Sequence, residues 1–188
     1  MKTFKLIALL LVASTLSVLA QKINIKPTDA VVIWTGGKIG GSHTGEIKVK
    51  SAALELKAGN IVAGNVVIDM NSMTCTDIEN KTYNQKLIEH LLSDDFFGVE
   101  KFPTATFKIT KANKFKNGKA TVWGSLTIKD KTENISFEVL KSKNVYSTQL
   151  KVDRSKFDVR FGSNTFFDNL GDKAIDNIFT LDIQVTAR

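Results

Sequence analysis

The sequence predicts one all-β domain of antiparallel strands that contains a single amphipathic helix. Three observations carry this prediction: apolar and polar residues alternate along most of the chain, turn residues separate the alternating runs, and one segment alone has helical spacing. Strict alternation gives each strand one dry face and one wet face, which is typical of antiparallel sheets. The chain length of 188 residues suits one domain with a substantial core.

The alternating runs define the expected strands. Val122, Leu126 and Ile128 share one face of their run, and Asn-Gly or Gly-Asn pairs mark the turns near residues 59 and 117. We expect about eight strands, at 22–26, 30–35, 43–50, 61–70, 104–113, 119–129, 133–141 and 146–153, with 178–186 as a further candidate. A twisted sheet of this size either splits into a sandwich or closes into a barrel, and the alternation does not decide between them.

One segment departs from the period of two. In residues 81–92, Tyr83, Leu87, Ile88 and Leu91 recur at helical spacing with polar residues between them. This pattern predicts an amphipathic helix of about three turns whose apolar stripe packs on the sheet.

The first twenty residues predict a secretory signal peptide. Lys2 and Lys5 precede an apolar run, and Val18-Leu19-Ala20 places small or medium residues at a cleavage site. The alternative, a membrane anchor, is disfavoured because Ser and Thr interrupt a run of marginal length. We therefore expect cleavage near Ala20, a folded domain at 21–188, and a periplasmic or secreted protein without a stable membrane anchor.

The charge distribution indicates which partners the protein can bind, and the cysteine count indicates whether it can form a disulfide. Loss of Lys2 and Lys5 lowers the formal net charge from +7 to +5, and the remaining lysines are scattered among acids. Because a nucleic-acid site needs a dense basic stripe with stacking aromatics, we expect no nucleic-acid partner. The one cysteine, Cys75, cannot form an internal disulfide, and burial as a small apolar side chain is the favoured interpretation over a free reactive or intermolecular thiol.

Residues suited to catalysis or metal binding are sparse. His43 and His90 are the two histidines, and neither stands at metal-ligand spacing from a second ligand type. Asp94-Asp95 fits a solvated turn after the helix, and the glycines at 36–41 are not followed by a helix as a phosphate loop would be. We therefore predict no catalytic residues, no metal site and no cofactor.

The run Phe96-Phe97-Gly98-Val99-Glu100-Lys101-Phe102-Pro103-Thr104-Ala105-Thr106-Phe107 closely resembles the signature of the YceI-like family. The segment from Asn84 to Ser93, the strand Gly124-Ser125-Leu126-Thr127-Ile128 and the segment Lys156-Phe157-Asp158-Val159 also resemble that family. Leu92 stands where many relatives carry Arg. The resemblance covers essentially the whole chain after the predicted signal peptide.

The resemblance implies a lipocalin-like, closed antiparallel barrel of about eight strands with the helix over one opening. It also implies a periplasmic, non-catalytic protein that binds a long isoprenoid lipid, such as a polyisoprenoid or an isoprenoid quinone, inside the barrel. The alternation then selects the apolar side chains that would face this ligand, and the helix adds two more: Leu87, Leu91, Phe107, Ile109, Val122, Leu126, Ile128, Phe137, Val139, Phe179, Leu181 and Ile183. We expect about half of these to be plain core.

A second hypothesis is an interaction module with a filled core. It would act through surface loops such as Phe161 to Asp172, which contains three Phe residues. A cavity of a few hundred Å³ favours ligand binding, whereas a filled interior favours the interaction module. The sequence does not decide the oligomeric state, and a homodimer is one of the arrangements it allows.

Overall fold

The computed structural model describes residues 19–187, which form one antiparallel sheet, one α-helix and four short 3-10 helices. The strands are β1 (Gln21–Ile25), β2 (Ala30–Lys38), β3 (Gly41–Glu46), β4 (Lys48–Lys57), β5 (Asn60–Asp69), β6 (Thr104–Ala112), β7 (Lys119–Ile128), β8 (Lys131–Ser142), β9 (Val145–Asp153) and β10 (Ile178–Thr186). The helix α1 is Lys81–Leu92, and the 3-10 helices are Pro27–Asp29, Met70–Ser72, Arg154–Phe157 and Gly171–Lys173. The predicted signal peptide lies outside the described residues except for Leu19 and Ala20.

The predicted all-β class with one helix is confirmed, but a closed barrel of about eight strands is not. The described chain forms ten strands in the hydrogen-bonded order β1-β4-β5-β6-β7-β8-β9-β10-β2-β3. All strand pairs are antiparallel, and the sheet curls into a half-barrel. Its two ends in this order are β1 and β3.

Ten strands form because one of the eight expected runs divides and the further candidate at 178–186 is also a strand, β10. The run 43–50 becomes β3 and β4, which are separated by Ile47, and the amide of Ile47 donates to the carbonyl of Val32 at 3.1 Å. Before this residue the chain pairs with β2, and after it the chain pairs with β5 and β1. Alternation within one run therefore could not show that its two halves have different partners.

The core follows the predicted alternation most closely in β7. Every second residue of this strand is buried, and Val122, Leu126 and Ile128 point inward together. Gly124 lies on the same face, and the ring of Phe107 packs directly over it. A side chain at this position would not fit, since a Cβ at Gly124 would lie 2.5 Å from Phe107 Cζ. The phenyl rings of Phe107 and Phe137 then pack with centroids 5.3 Å apart.

The helix begins and ends where its sequence predicts. Asn80 caps the N-terminus, and its Oδ1 accepts from the amides of Thr82 at 3.0 Å and Tyr83 at 3.1 Å. The apolar stripe differs in one member, because Tyr83, in the first turn of α1, is 65% exposed. The residues of α1 that do pack on the core are Leu87, Ile88, Leu91 and Leu92.

Among residues 19–187, no helix is long and apolar enough to cross a membrane.

Candidate functional site

The curled sheet encloses an apolar cavity of about 250 Å³. It lies between two clusters of buried side chains, and members of both line it: Trp34 and Leu126 from one, Val122 and Ile61 from the other. Ala52, Phe107 and Phe137 pack against both clusters and line the cavity. The interior of the sheet is therefore not completely filled by side chains.

Eleven of the twelve apolar residues that the sequence selected line this cavity. Strands β6 to β8 and β10 bring together the following: Phe107, Ile109, Val122, Leu126, Ile128, Phe137, Val139, Phe179, Leu181 and Ile183. From the helix, Leu91 reaches the cavity, whereas Leu87 packs against the larger core cluster without lining it. One helical turn separates these two side chains, and the position of α1 on the sheet could not be obtained from the helical pattern.

The sequence-based selection missed much of the wall. Aliphatic side chains of β2, β4 and β5, such as Val32, Leu54 and Ile61, also line the cavity. The missed aromatic and sulfur-containing side chains include Trp34, Met70, Met73, Phe96, Phe97 and Tyr146. Phe96 and Phe97 stand at the start of the family-like run, so their motif was the available signal. Met70 is the last residue of the expected run 61–70, whereas Met73 lies outside any alternating run and no local pattern indicates it.

The family-like run after α1 forms a buried turn at the cavity. Phe96, Phe97 and Val99 are all buried, and Gly98 adopts a φ of +57° between them. The Nζ of Lys129 donates to the carbonyl of Phe96 at 3.0 Å and also to the carbonyl of Asp158 at 3.1 Å. These bonds tie the turn to the segment that follows Arg154.

Arg154 is the buried charge of the cavity wall. It is 2% exposed and donates to three backbone carbonyls: Nε to Asp176 at 2.9 Å, Nη1 to Val159 at 2.8 Å and Nη2 to Ile175 at 3.0 Å. Burial lowers the pKa of its guanidinium from the ordinary value, and the nearby Asp153 and Asp176 carboxylates oppose this effect. The three bonds join the segment after β9 to residues 175–176, which precede β10, and they keep a cation at the edge of an apolar space.

Few polar residues line the cavity. Those among the described residues are Ser147, Thr148, Arg154 and Asp176. The wall is mostly hydrocarbon with a few polar groups, which is the usual composition of a binding pocket for a small molecule.

The loop that the second hypothesis relied on is partly exposed. Phe161 and Phe167 are 44% and 48% exposed, and Phe166 lies beside the guanidinium of Arg160, whose Cζ is 5.0 Å from the ring centre. Phe161 and Phe167 also line a wider, open groove that includes the acidic residues Asp94 and Asp95. This groove is separate from the enclosed cavity, because none of its lining residues lines that cavity.

The two histidines occupy different settings. His90 packs between Phe96 and Phe161, and its Nε2 is buried without a hydrogen-bond partner among the described residues. His43 lies against Asp77, and Asp77 also contacts Cys75. The expectation that His43 has no second ligand type beside it is therefore wrong.

A curled antiparallel sheet around an apolar cavity defines a binding type of β protein. The model of the YceI-like domain matches residues 23–187. The chain belongs to the YceI-like family, which is a binding-type family, and the resemblance seen in the sequence is confirmed.

Solved structures agree with this family. The crystal structure of Burkholderia cenocepacia BcnA is similar with a TM-score of 0.70 and 22% identity over 87% of this chain and 99% of that chain. A polyisoprenoid-binding domain from Saccharophagus degradans, implicated in plant cell wall breakdown, has a TM-score of 0.57 and 13% identity over 91% of this chain and 99% of that chain. A mutant Campylobacter jejuni YceI protein with a monobromobimane guest has a TM-score of 0.52 and 25% identity over 73% of this chain and 81% of that chain. No curated protein matches the chain.

Proposed function

We propose that this protein binds or carries a long apolar lipid of the polyisoprenoid or isoprenoid quinone type, without catalysis, in the cavity of its sheet. The observation that carries the proposal is the apolar cavity of about 250 Å³ between the two core clusters. Membership of the YceI-like family and a fold shared with a polyisoprenoid-binding domain support the choice of ligand class.

Hydrocarbon burial is a sufficient driving force for such a ligand. Each methylene removed from water contributes about 0.8 kcal/mol, so even a short isoprenoid segment gains several kcal/mol before the entropy cost of binding. The cavity lies just below the range of about 300–1,000 Å³ usual for ligand pockets. A long chain therefore requires cavity side chains to move, or part of the chain to extend beyond the sheet.

Arg154 is the residue we assign to the polar end of the ligand. Its guanidinium uses three of its five N–H groups on backbone carbonyls, and Arg154 lines the cavity. We infer that its two other N–H groups can turn toward a bound ligand. A quinone carbonyl, a hydroxyl or a phosphate oxygen would accept from these donors. This contact would orient the ligand while the hydrocarbon supplies the affinity.

The proposal includes export to the periplasm. Its support is the predicted signal peptide at 1–20, and β1 begins at Gln21, directly after the predicted cleavage site. Cell fractionation followed by N-terminal sequencing is expected to give a periplasmic protein that begins at Gln21. A cytoplasmic protein that retains Met1 would contradict this part of the proposal and leave the lipid site unaffected.

The interaction module is the weaker alternative, since it required a filled core. The exposed phenyl rings of Phe161 and Phe167 are the observation in its favour. Double replacement of these rings by Ser separates the two functions. The lipid-binding hypothesis expects the replaced protein to retain its ligand, whereas the interaction hypothesis expects the loss of a protein partner, including a second copy of the chain.

The direct test is identification of what co-purifies with the protein from its native compartment. Native mass spectrometry, followed by solvent extraction and lipid mass spectrometry, is expected to show one isoprenoid lipid per chain. Delipidated protein should regain the same lipid from vesicles that contain it. The absence of a co-purifying lipid, together with no uptake from such vesicles, would refute the proposed function.

A further inference from the structure

Three potential metal ligands of different chemistry converge beside β3. The Nδ1 of His43 lies 3.0 Å from Oδ2 of Asp77, and Cys75 Sγ lies 3.1 Å from Oδ1 of the same carboxylate. One ligand atom from each of the three residues lies within 4.8 Å of the other two. Thirty-four positions separate His43 from Asp77 in the chain, so this cluster is a product of the tertiary structure.

The fold holds the segment 73–80, which carries Cys75 and Asp77, tightly against β3. The amides of Thr74 and Thr76 donate to the carbonyls of Glu46 and Thr44, both at 2.9 Å. The backbone of this segment passes directly over Gly45, where a Cβ would lie 1.7 Å from the carbonyl oxygen of Thr74. The segment thus extends the pairing of β3, and its approach depends on the glycine.

Two side chains, one from β2 and one from α1, also hydrogen-bond to the backbone of this segment. The indole Nε1 of Trp34 donates to the carbonyl of Thr74 at 3.0 Å. From α1, the Nδ2 of Asn84 donates to the carbonyls of Cys75 at 2.8 Å and Ile78 at 3.0 Å. The three ligand-bearing residues therefore stand on a preorganised backbone, which metal sites require.

We propose that His43, Cys75 and Asp77 form a binding site for a divalent cation of the Zn²⁺ type. An imidazole nitrogen, a sulfur and a carboxylate oxygen are the ligands that Zn²⁺ takes at about 2.0–2.3 Å, and the three atoms already lie near the separations that one shared ion needs. Three protein ligands leave a fourth tetrahedral position for water or a small ligand.

Two of the three proposed ligands are accessible to solvent, and the third is buried behind them. Cys75 is buried within the core, whereas the side chains of His43 and Asp77 are 43% and 31% exposed. An ion can thus reach the two outer ligands from solvent and bind the thiolate behind them. Without an ion, the carboxylate of Asp77 accepts hydrogen bonds from the Cys75 thiol and from the amide of Thr44.

Binding of a cation here requires the Cys75 thiol to lose its proton. Burial, followed by the hydrogen bond to Asp77, raises the pKa of the Cys75 thiol. For Asp77, burial alone would raise the pKa, but the hydrogen bonds from Cys75, Thr44 and His43 outweigh it and lower the pKa to about 2. The carboxylate is therefore ionised at neutral pH.

The test uses the untagged protein and Co²⁺ as a spectroscopic probe for Zn²⁺. We expect one equivalent of Co²⁺ to produce a near-ultraviolet thiolate-to-cobalt band and visible bands of tetrahedral geometry, both removed by one equivalent of Zn²⁺. The Cys75→Ser variant should lose the thiolate band. His43→Gln and Asp77→Asn should each weaken Zn²⁺ binding at least about tenfold in calorimetry, because losing even an outer-shell partner costs that much.

Matched controls distinguish this site from adventitious binding. His90→Gln removes the other histidine, and Glu79→Gln removes an exposed acid two positions from Asp77; both should leave Zn²⁺ affinity unchanged. Wild-type protein without the thiolate band, or unchanged affinity in His43→Gln and Asp77→Asn, would overturn the proposal. Because His43 and Asp77 are partly exposed, we expect their variants to fold. They therefore test the site even if Cys75→Ser does not fold. The outcome is independent of lipid binding.

Discussion

The guanidinium carbon of Arg154 lies 5.3 Å from the centre of the Phe96 ring, and both side chains line the apolar cavity. Phe96 belongs to the turn after α1, and Arg154 begins the 3-10 helix after β9. Their contact joins two distant parts of the chain at one place in the wall. It also places a cation over an aromatic face, which partly offsets the cost of burying the charge.

Replacing Arg154 by Met should strongly destabilise the protein. The variant leaves the carbonyls of Val159, Ile175 and Asp176 without their donor, and each buried unsatisfied group costs about 1–3 kcal/mol. We expect the free energy of unfolding to fall by at least about 3 kcal/mol in urea titrations. The exposed Arg160→Met variant is the control and should change it by less than about 1 kcal/mol. Equal losses in the two variants would contradict the structural role of Arg154.

Filling the cavity should expel the lipid. Ala52 lines the cavity from β4, whereas Ala53 points to the opposite face of the sheet because side chains alternate along a strand. We expect Ala52→Phe to weaken lipid binding at least about tenfold, or about 1.4 kcal/mol, and Ala53→Phe to leave it unchanged. Quantitative lipid extraction and vesicle uptake measure the difference. Retention of the lipid by Ala52→Phe would place the binding site elsewhere.

Gly45→Ala should disturb the segment 73–80. The new Cβ would overlap the carbonyl of Thr74, so the backbone of this segment must shift and its bonds to β3 must weaken. Overpacking of this kind typically costs about 1–3 kcal/mol. A Cβ added at Gly41, in the same strand, would meet no atom of residues 19–187 within 4 Å beyond its chain neighbours, so Gly41→Ala should be close to neutral. Hydrogen exchange of the Thr74 and Thr76 amides should increase in the first variant alone.

The stability of the protein should depend on Asp158 at acid pH. The hydrogen bond from Arg160 lowers the pKa of this carboxyl below 3.8, and nearby Lys129 and Lys131 act in the same direction. Because the folded-state pKa is lowered, the stabilisation is fully present above pH 3.8 and disappears as the pH falls through the folded-state value. The exposed pair limits it to less than about 1 kcal/mol.

Asp158→Asn tests this dependence while preserving the backbone, since Asn tolerates the left-handed conformation at φ 58°. The melting temperature of the variant should lie below that of the wild-type protein at neutral pH, and the two should converge toward pH 2–3. Asp130→Asn, at another position of positive φ (61°), is the control. A difference between wild type and Asp158→Asn that stays constant from pH 7 to pH 2 would show that the carboxylate charge is not involved.

Local patterns were sufficient for most of the secondary structure and for part of the cavity wall. The period of two in β7 selected Val122, Leu126 and Ile128, and all three line the cavity. The helical period likewise placed α1 at residues 81–92. These predictions succeed because the side-chain direction in a strand or helix follows from the backbone period alone.

Local patterns did not predict which neighbours the run 43–50 pairs with, nor which residues of the α1 stripe are buried; Tyr83, for example, is exposed. Ile47 separates two strands that pair with different neighbours, and the partner of a strand depends on register and loop path rather than on its own alternation. Similarly, Leu91 and Leu87 share a helical stripe, but only the docking of α1 on the sheet decides that Leu91 alone reaches the cavity.

By itself, the sequence determined the class of fold, the apolar face of nearly every strand and the family to which the chain belongs. The tertiary structure decided that the space between the faces is a cavity, that Arg154 is buried at its wall, and that His43 meets Cys75 and Asp77. The physical reason is the separation along the chain of the residues that interact. Periodicity acts between residues a few positions apart, whereas a cavity or a ligand cluster arises from residues brought together by the register and curvature of the whole sheet.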